Sequence, residues 1–176
     1  MREASIIAAE VGYITENSAL LEHYSAALMQ YGRTLIDRVQ GEKVKIEAYS
    51  AEGRYADAVA VGKRLLAMFG VKLPHNPTKF TAGIFLLKLR GVIGLLQHHP
   101  NAGQQQTPSE EKQEVMSILR RFTVPAIAVA QNVLPTIVYF GCEISLKHGL
   151  NPASGYFMFI AGIIMRSLFS NNLLEK

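Results

Sequence analysis

Apolar residues recur along this chain at three- and four-residue intervals, the period of an α-helix, and almost nowhere in the strict alternation of a strand. EASIIAAEVGYI (3–14) is apolar at helical spacing and stops at the polar Thr15-Glu16-Asn17. A second helix is predicted from a cap near Asn17 or Ser18 to about Tyr31, with Leu21, Tyr24, Leu28 and Tyr31 on one stripe. Thr34 is placed to cap a third, with Leu35, Val39, Ile46 and Tyr49 inward and Gly41 weakening it locally. Glu52-Gly53-Arg54 breaks the run. From Tyr55 the inward positions are Ala58, Gly62, Leu65, Leu66 and Phe69, until Gly70 and Pro74 end that helix.

Asn76-Pro77-Thr78 opens a helix to about Gln97. Phe80, Ile84, Leu87 and Leu95 line one side of it, and Phe85, Leu89, Val92 and Leu96 the other, so the helix asks for cover on two sides. Gly83, Gly91 and Gly94 suit close approach of another helix. The polar stretch 98–108 reads as a mobile loop. Thr107-Pro108-Ser109-Glu110 has a capping residue, proline at the first helical position and glutamate three after the cap. The helix it starts carries Val115, Ile118, Leu119 and Phe122 inward and should kink or end at Pro125. Two more are predicted, roughly 133–148 and 152–170, parted by Gly149 and Asn151-Pro152. The expected fold is all-α: about seven or eight helices in antiparallel hairpins, each too one-sided to stand alone, stacked as an α-α superhelix. Residues 1–176 form one helical-repeat segment, with sub-units of about 1–74 and 76–176, and the chain's open ends suit a piece of a longer protein.

Composition narrows the function classes. Charged residues make up only 18% against 49% apolar, so much surface is expected to be covered by the chain itself or by a neighbour. The net charge of +4 is modest and its cations are scattered, with no basic stripe interleaved with aromatics, which argues against nucleic acid. The N-terminus lacks the apolar core and small-residue site of a signal peptide. Thr123 to Cys142 is twenty residues without a charge, the length of a membrane span, but Asn132-Val133-Leu134-Pro135 in its middle predicts a break between two helices and a buried core instead. A single cysteine, Cys142, excludes an internal disulfide and fits a reducing, cytoplasmic setting.

The candidates for chemistry are weak. Gly62-Lys63 falls mid-helix, is followed by Arg64 rather than Ser or Thr, and has no glycine five residues before it, so it is not a phosphate loop. His98-His99 lacks a convergent third ligand for a metal. Cys142 beside Glu143, His148 near Lys147, and Glu47 near Lys43 read as core, solvated or helix-end residues. No catalytic, cofactor-binding or metal-binding residue is assigned, and no cofactor is expected.

AYSAEGRYADAVAVGKRLL (48–66) resembles the bend and second helix of a tetratricopeptide repeat. Tyr49 matches the aromatic of the first helix, Gly53 the turn, and Tyr55 and Ala58 the start of the second, while Gly62 stands where the repeat has a large aromatic. With VLPTIVYFGCEISLKHGLNPASGYFMFIAGIIM (133–165), the stretch KVKIEAYSAEGRYADAVAVGKRLLAMFGVKLPHNPTKF (43–80) is similar to the helical-repeat region of very large bacterial signalling proteins. In that family an ATPase of the signal-transduction type precedes the repeats, often with a serine/threonine-kinase-like domain before it and GAF and sensor histidine kinase domains after. The likeness covers about residues 34–170. It implies a non-catalytic segment for protein–protein interaction, scaffolding or interdomain coupling. The partners implied are neighbouring domains of the same polypeptide or a separate protein, with the 79–97 helix as partner face or homodimer seam. The rival readings are a small helical enzyme or ligand-binding bundle, which needs convergent polar groups in the core, and a membrane-associated helical protein.

Overall fold

The computed structural model describes residues 2–15, 17–98, 107–129 and 131–170. The loop expected over 98–108 therefore lies outside the described residues, except at His98, Thr107 and Pro108. Eight α-helices follow one another with no strand among the described residues: α1 (Arg2–Ile14), α2 (Ser18–Tyr31), α3 (Leu35–Ala51), α4 (Tyr55–Met68), α5 (Lys79–His98), α6 (Glu110–Val129), α7 (Leu134–His148) and α8 (Ser154–Ser170). A single 3-10 turn, Gln131–Val133, separates α6 from α7, at the break that Asn132 to Pro135 predicts.

Local chemistry sets the helix ends. The Asn17 side chain accepts from the Leu20 amide at 3.0 Å, and Thr34 and Asp37 form a reciprocal capping box that starts α3. Gly53 takes φ +75° between α3 and α4, the left-handed region that a side chain disfavours, so the hairpin turns there. The start of α6 differs from expectation, and at Pro125 one of the two expected outcomes is excluded. Ser109 rather than Thr107 caps α6, its hydroxyl accepting from the Lys112 amide, so the helix begins at Glu110. Pro125 does not end α6, which continues to Val129. Its ring falls one turn after Arg121, where it removes one backbone donor without stopping the following turn.

Packing joins the helices in a layered array. The α1, α2 and α3 helices pack mutually, α3 packs on α4 and α6, and α4 packs on α6 rather than on α5. The α6 helix also meets α7 and α8, while α5 lies against α7, with minor contacts to α8 and the 3-10 turn, and touches neither α4 nor α6. One apolar cluster runs from Val39 and Ile46 of α3 through Leu65, Leu66 and Phe122 to Ile137, Cys142 and Phe157. A smaller one joins Ala9, Leu21, Val44 and Ala48.

Glycines allow the closest crossings. Gly41, which weakens α3 on propensity alone, lets α2 in: a Cβ there would stand 2.8 Å from the Ser25 Cα, and the Ser25 hydroxyl donates to the Gly41 carbonyl. At Gly62 a Cβ would stand 2.2 Å from the ring of Phe122, and at Gly141 it would stand 2.2 Å from the ring of Phe157. The space beside Gly62 is thus filled by a ring delivered from α6. Tyr31, expected on the inner stripe of α2, is the last residue of that helix and 75% exposed.

Candidate interaction face

The α5 helix starts where the Thr78 hydroxyl accepts from the Thr81 amide. Its inner side is the predicted one: Leu89 and Val92 are buried, and Phe85 and Leu96 are packed against the α7 side. Phe85 sits 5.5 Å from Tyr139 and 6.1 Å from Phe140, ring centre to ring centre, and the Lys88 ammonium lies 5.0 Å above the Phe85 ring.

The other side is uncovered. Phe80 is 79% exposed and Leu87 70%, with Leu95 and Ile84 also open. Gly83, Gly91 and Gly94 share this face, since positions separated by three, four, seven or eleven residues fall together on a helix. Among the described residues, a Cβ at any of the three would meet nothing within 4 Å. Exposed apolar residues recur on α8 at Phe159, Ile163 and Leu168. Between the two helices a cavity of about 240 Å³ is lined by Ile93, Leu96, Cys142, Met158 and Ala161. Exposed apolar residues grouped on one helix face mark a site of association.

The ionisable groups near this face are structural. Glu143 accepts from the Tyr139 hydroxyl at 2.7 Å and from the Lys147 ammonium at 2.7 Å. Partial burial works to raise its pKa, but the Lys147 and Tyr139 hydrogen bonds outweigh it and hold the carboxyl below its ordinary value. The Tyr139 hydroxyl is pushed up to about 12 by burial and by its bond to that carboxylate. Cys142 is fully buried, and burial pushes its thiol up to about 12, which is the opposite of what a nucleophile needs. Native protein at pH 8 is therefore expected to leave Cys142 unmodified by a thiol reagent for as long as the fold persists, with stoichiometric labelling in denaturant. Rapid native labelling would show a reactive thiol. Because the folded-state value is raised, the stability tied to this thiol is complete below about 9, its unfolded value, and is lost as pH climbs from there toward 12.

The remaining candidates fall apart as a site. Gly62 is covered by Phe122, Lys63 donates to the His75 carbonyl at 2.9 Å, His98 is an exposed residue at the end of α5, and His99 lies outside the described residues. His148 is the last residue of α7 and half-buried. No group of three His, Cys, Asp or Glu that could hold a metal occurs among the described residues.

A feature that hydrophobic periodicity missed is a band of buried charge on α3. Lys43, expected on a solvated surface, is buried and pairs with Glu114 of α6 at 2.6 Å. Lys45 pairs with Glu42 at 2.9 Å and with Glu22 of α2 at 2.6 Å, and Arg64 of α4 also reaches Glu42. Burial of Lys45 opposes its charged form, yet the bonds from Glu22 and Glu42 win and raise its pKa. Glu47 is half-exposed and pairs with Arg121. Apart from Lys45–Glu42, which lies within α3, each pair joins two helices, so the band holds register.

No helix among the described residues is long and apolar enough to cross a membrane. The chain matches no profile of a known family, no curated protein and no solved structure.

Proposed function

We propose that the chain is a non-catalytic helical-repeat segment of the tetratricopeptide-like kind, acting as an interaction, scaffolding or coupling module. The parent protein implied by the resemblance is a bacterial signalling protein with ATPase and sensor histidine kinase modules, working in the cytoplasm. The observation that carries this reading is the uncovered outer face of α5, where Phe80 and Leu87 are both more than two-thirds exposed. Stacked hairpins suit the role, because their surfaces are extended and rigid and receive helices or peptides by groove and ridge. The partner is a neighbouring domain of the same polypeptide or a separate protein.

Leu87→Asp tests it. Placed on an open face, the substitution should change stability by no more than roughly 0.5 kcal/mol. In the organism that carries the gene, the same substitution should reproduce the phenotype of a deletion while the protein's abundance stays normal. Normal signalling by the variant would sink the reading, and a collapsed melting temperature would show that this face is core.

A further inference from the structure

We propose that the outer face of α5 docks an amphipathic helix of a partner protein whose apolar stripe is bordered by aspartate and glutamate. This deepens the reading of α5 as the interaction face and rests on it.

Charge identifies the partner's borders. The chain has 18 Lys and Arg against 14 Asp and Glu. The helices α5, α7 and α8 contain five of those cations (Lys79, Lys88, Arg90, Lys147 and Arg166) and one carboxylate, Glu143. Thirteen of each sign are left elsewhere, so the whole net charge of +4 resides on the end that carries the open apolar face. Glu143 is occupied by Tyr139 and Lys147. On α5 itself there is no acid, and the cations fall on both edges of the face. At about 100° per residue, Lys88 lies roughly 80° to one side of Phe80, and Lys79 lies roughly 100° to the other. An apolar stripe between two cationic edges is complemented by an apolar stripe between two acidic ones.

A second copy of the chain fits poorly. Its own α5 also lacks acids, so stacking the two faces would set cation against cation at both edges. A lipid surface would accept the cations but does not explain the relief. Gly83, Gly91 and Gly94 open notches between Phe80, Ile84, Leu87 and Leu95, with open space over each glycine. A fluid acyl layer conforms to any outline. A helix has fixed ridges that seat in such notches. Each glycine weakens a helix relative to alanine, and no contact among the described residues uses these three.

The test is a displayed library of helical peptides with a fixed leucine and isoleucine stripe and randomised flanking positions, selected against the whole chain. The expected result is enrichment of Asp and Glu at the flanks. Binding should weaken with added salt and fall at least about tenfold on Leu87→Asp, and likewise on Gly91→Leu, which fills a notch. Gly91→Leu lies over open space on an exposed helix, so its fold should persist. If the selected peptides bind through Leu87 with no acidic preference, this inference fails and the interaction face stands. If binders are indifferent to both substitutions, or none emerge, both fail. Self-association in sedimentation that Leu87→Asp abolishes would assign the face to a second copy. Flotation with phosphatidylserine vesicles that survives Gly91→Leu would assign it to lipid. Either result overturns the proposal.

Discussion

Phe122→Ala is expected to lower stability by about 3–5 kcal/mol, the usual result of emptying a phenylalanine site in a core. For a chain of this length that is a fall of roughly 6–20 °C in melting temperature. Phe122 is fully buried and its ring lies over Gly62, so it is the contact that joins α4 to α6. The same geometry makes a counterintuitive companion result. Gly62→Ala raises helix propensity by about 1 kcal/mol, yet its Cβ would stand 2.2 Å from the ring. Overpacking of that kind costs about 1–3 kcal/mol, so the variant should be less stable in spite of its better helix former. Combining Gly62→Ala with Phe122→Leu should cost less than the two changes added together. Lys63→Ala, one residue away on the outer side, should stay within roughly 0.5 kcal/mol. Urea melts of these variants, with Phe122→Leu alone among them, decide it, and a stabilised Gly62→Ala would mean that the ring does not sit where described.

Glu114→Leu should be the most damaging of the charge changes. It strands the Lys43 ammonium, whose side chain is 9% exposed and whose partner oxygen lies at 2.6 Å. Breaking a buried pair from one side costs about 3–5 kcal/mol. The low end applies here, since a cavity of about 210 Å³ lined by Gln40, Lys43, Glu47 and Arg121 lets water approach. Lys43→Met together with Glu114→Leu removes both charges and should recover most of the loss, because an apolar pair of similar size is near neutral in such a place. Chemical denaturation of the two single variants and the double gives the coupling directly. If Glu114→Leu alone were neutral, the charge band would have no part in holding α3 on α6.

The helical class and most helix ends were legible because they depend on local chemistry. Asn17, Thr34, Gly53, Gly70 and Gly149 act within a few residues of where they stand. Ala58 was legible too, being fully buried where a small residue on a 3–4 spacing should be. Three features were not. Helix α3 buries Glu42, Lys43 and Lys45, and a charge carries no apolar signal even when its partners on α2, α4 and α6 neutralise it. Pro125 reads as a kink or an end, and periodicity could not choose: a helix loses only one donor there and continues when its far end is packed. The two-sided apolarity of α5 was visible, but periodicity cannot count the elements that cover each side. The structure covers one side with α7 and leaves Phe80, Ile84, Leu87 and Leu95 open.

The pairing of α4 with α6 makes the array continuous in space but interrupted along the chain. Forty-one residues, from Phe69 to Ser109, leave the stack after α4 and return to it at α6. Closing such an excursion loses entropy only as the logarithm of its length, so doubling it would cost about 0.6 kcal/mol. The helix it carries can therefore be lengthened or retargeted at small cost to the scaffold. The order of assembly is less forgiving. A nascent chain that has made only α1 to α5 still shows the Ala58, Gly62 and Leu65 face of α4 to solvent, because the surface that buries it arrives with α6. The small cluster of α1, α2 and α3 can close as those helices emerge, but the larger one waits for α6 and is completed only by α7 and α8.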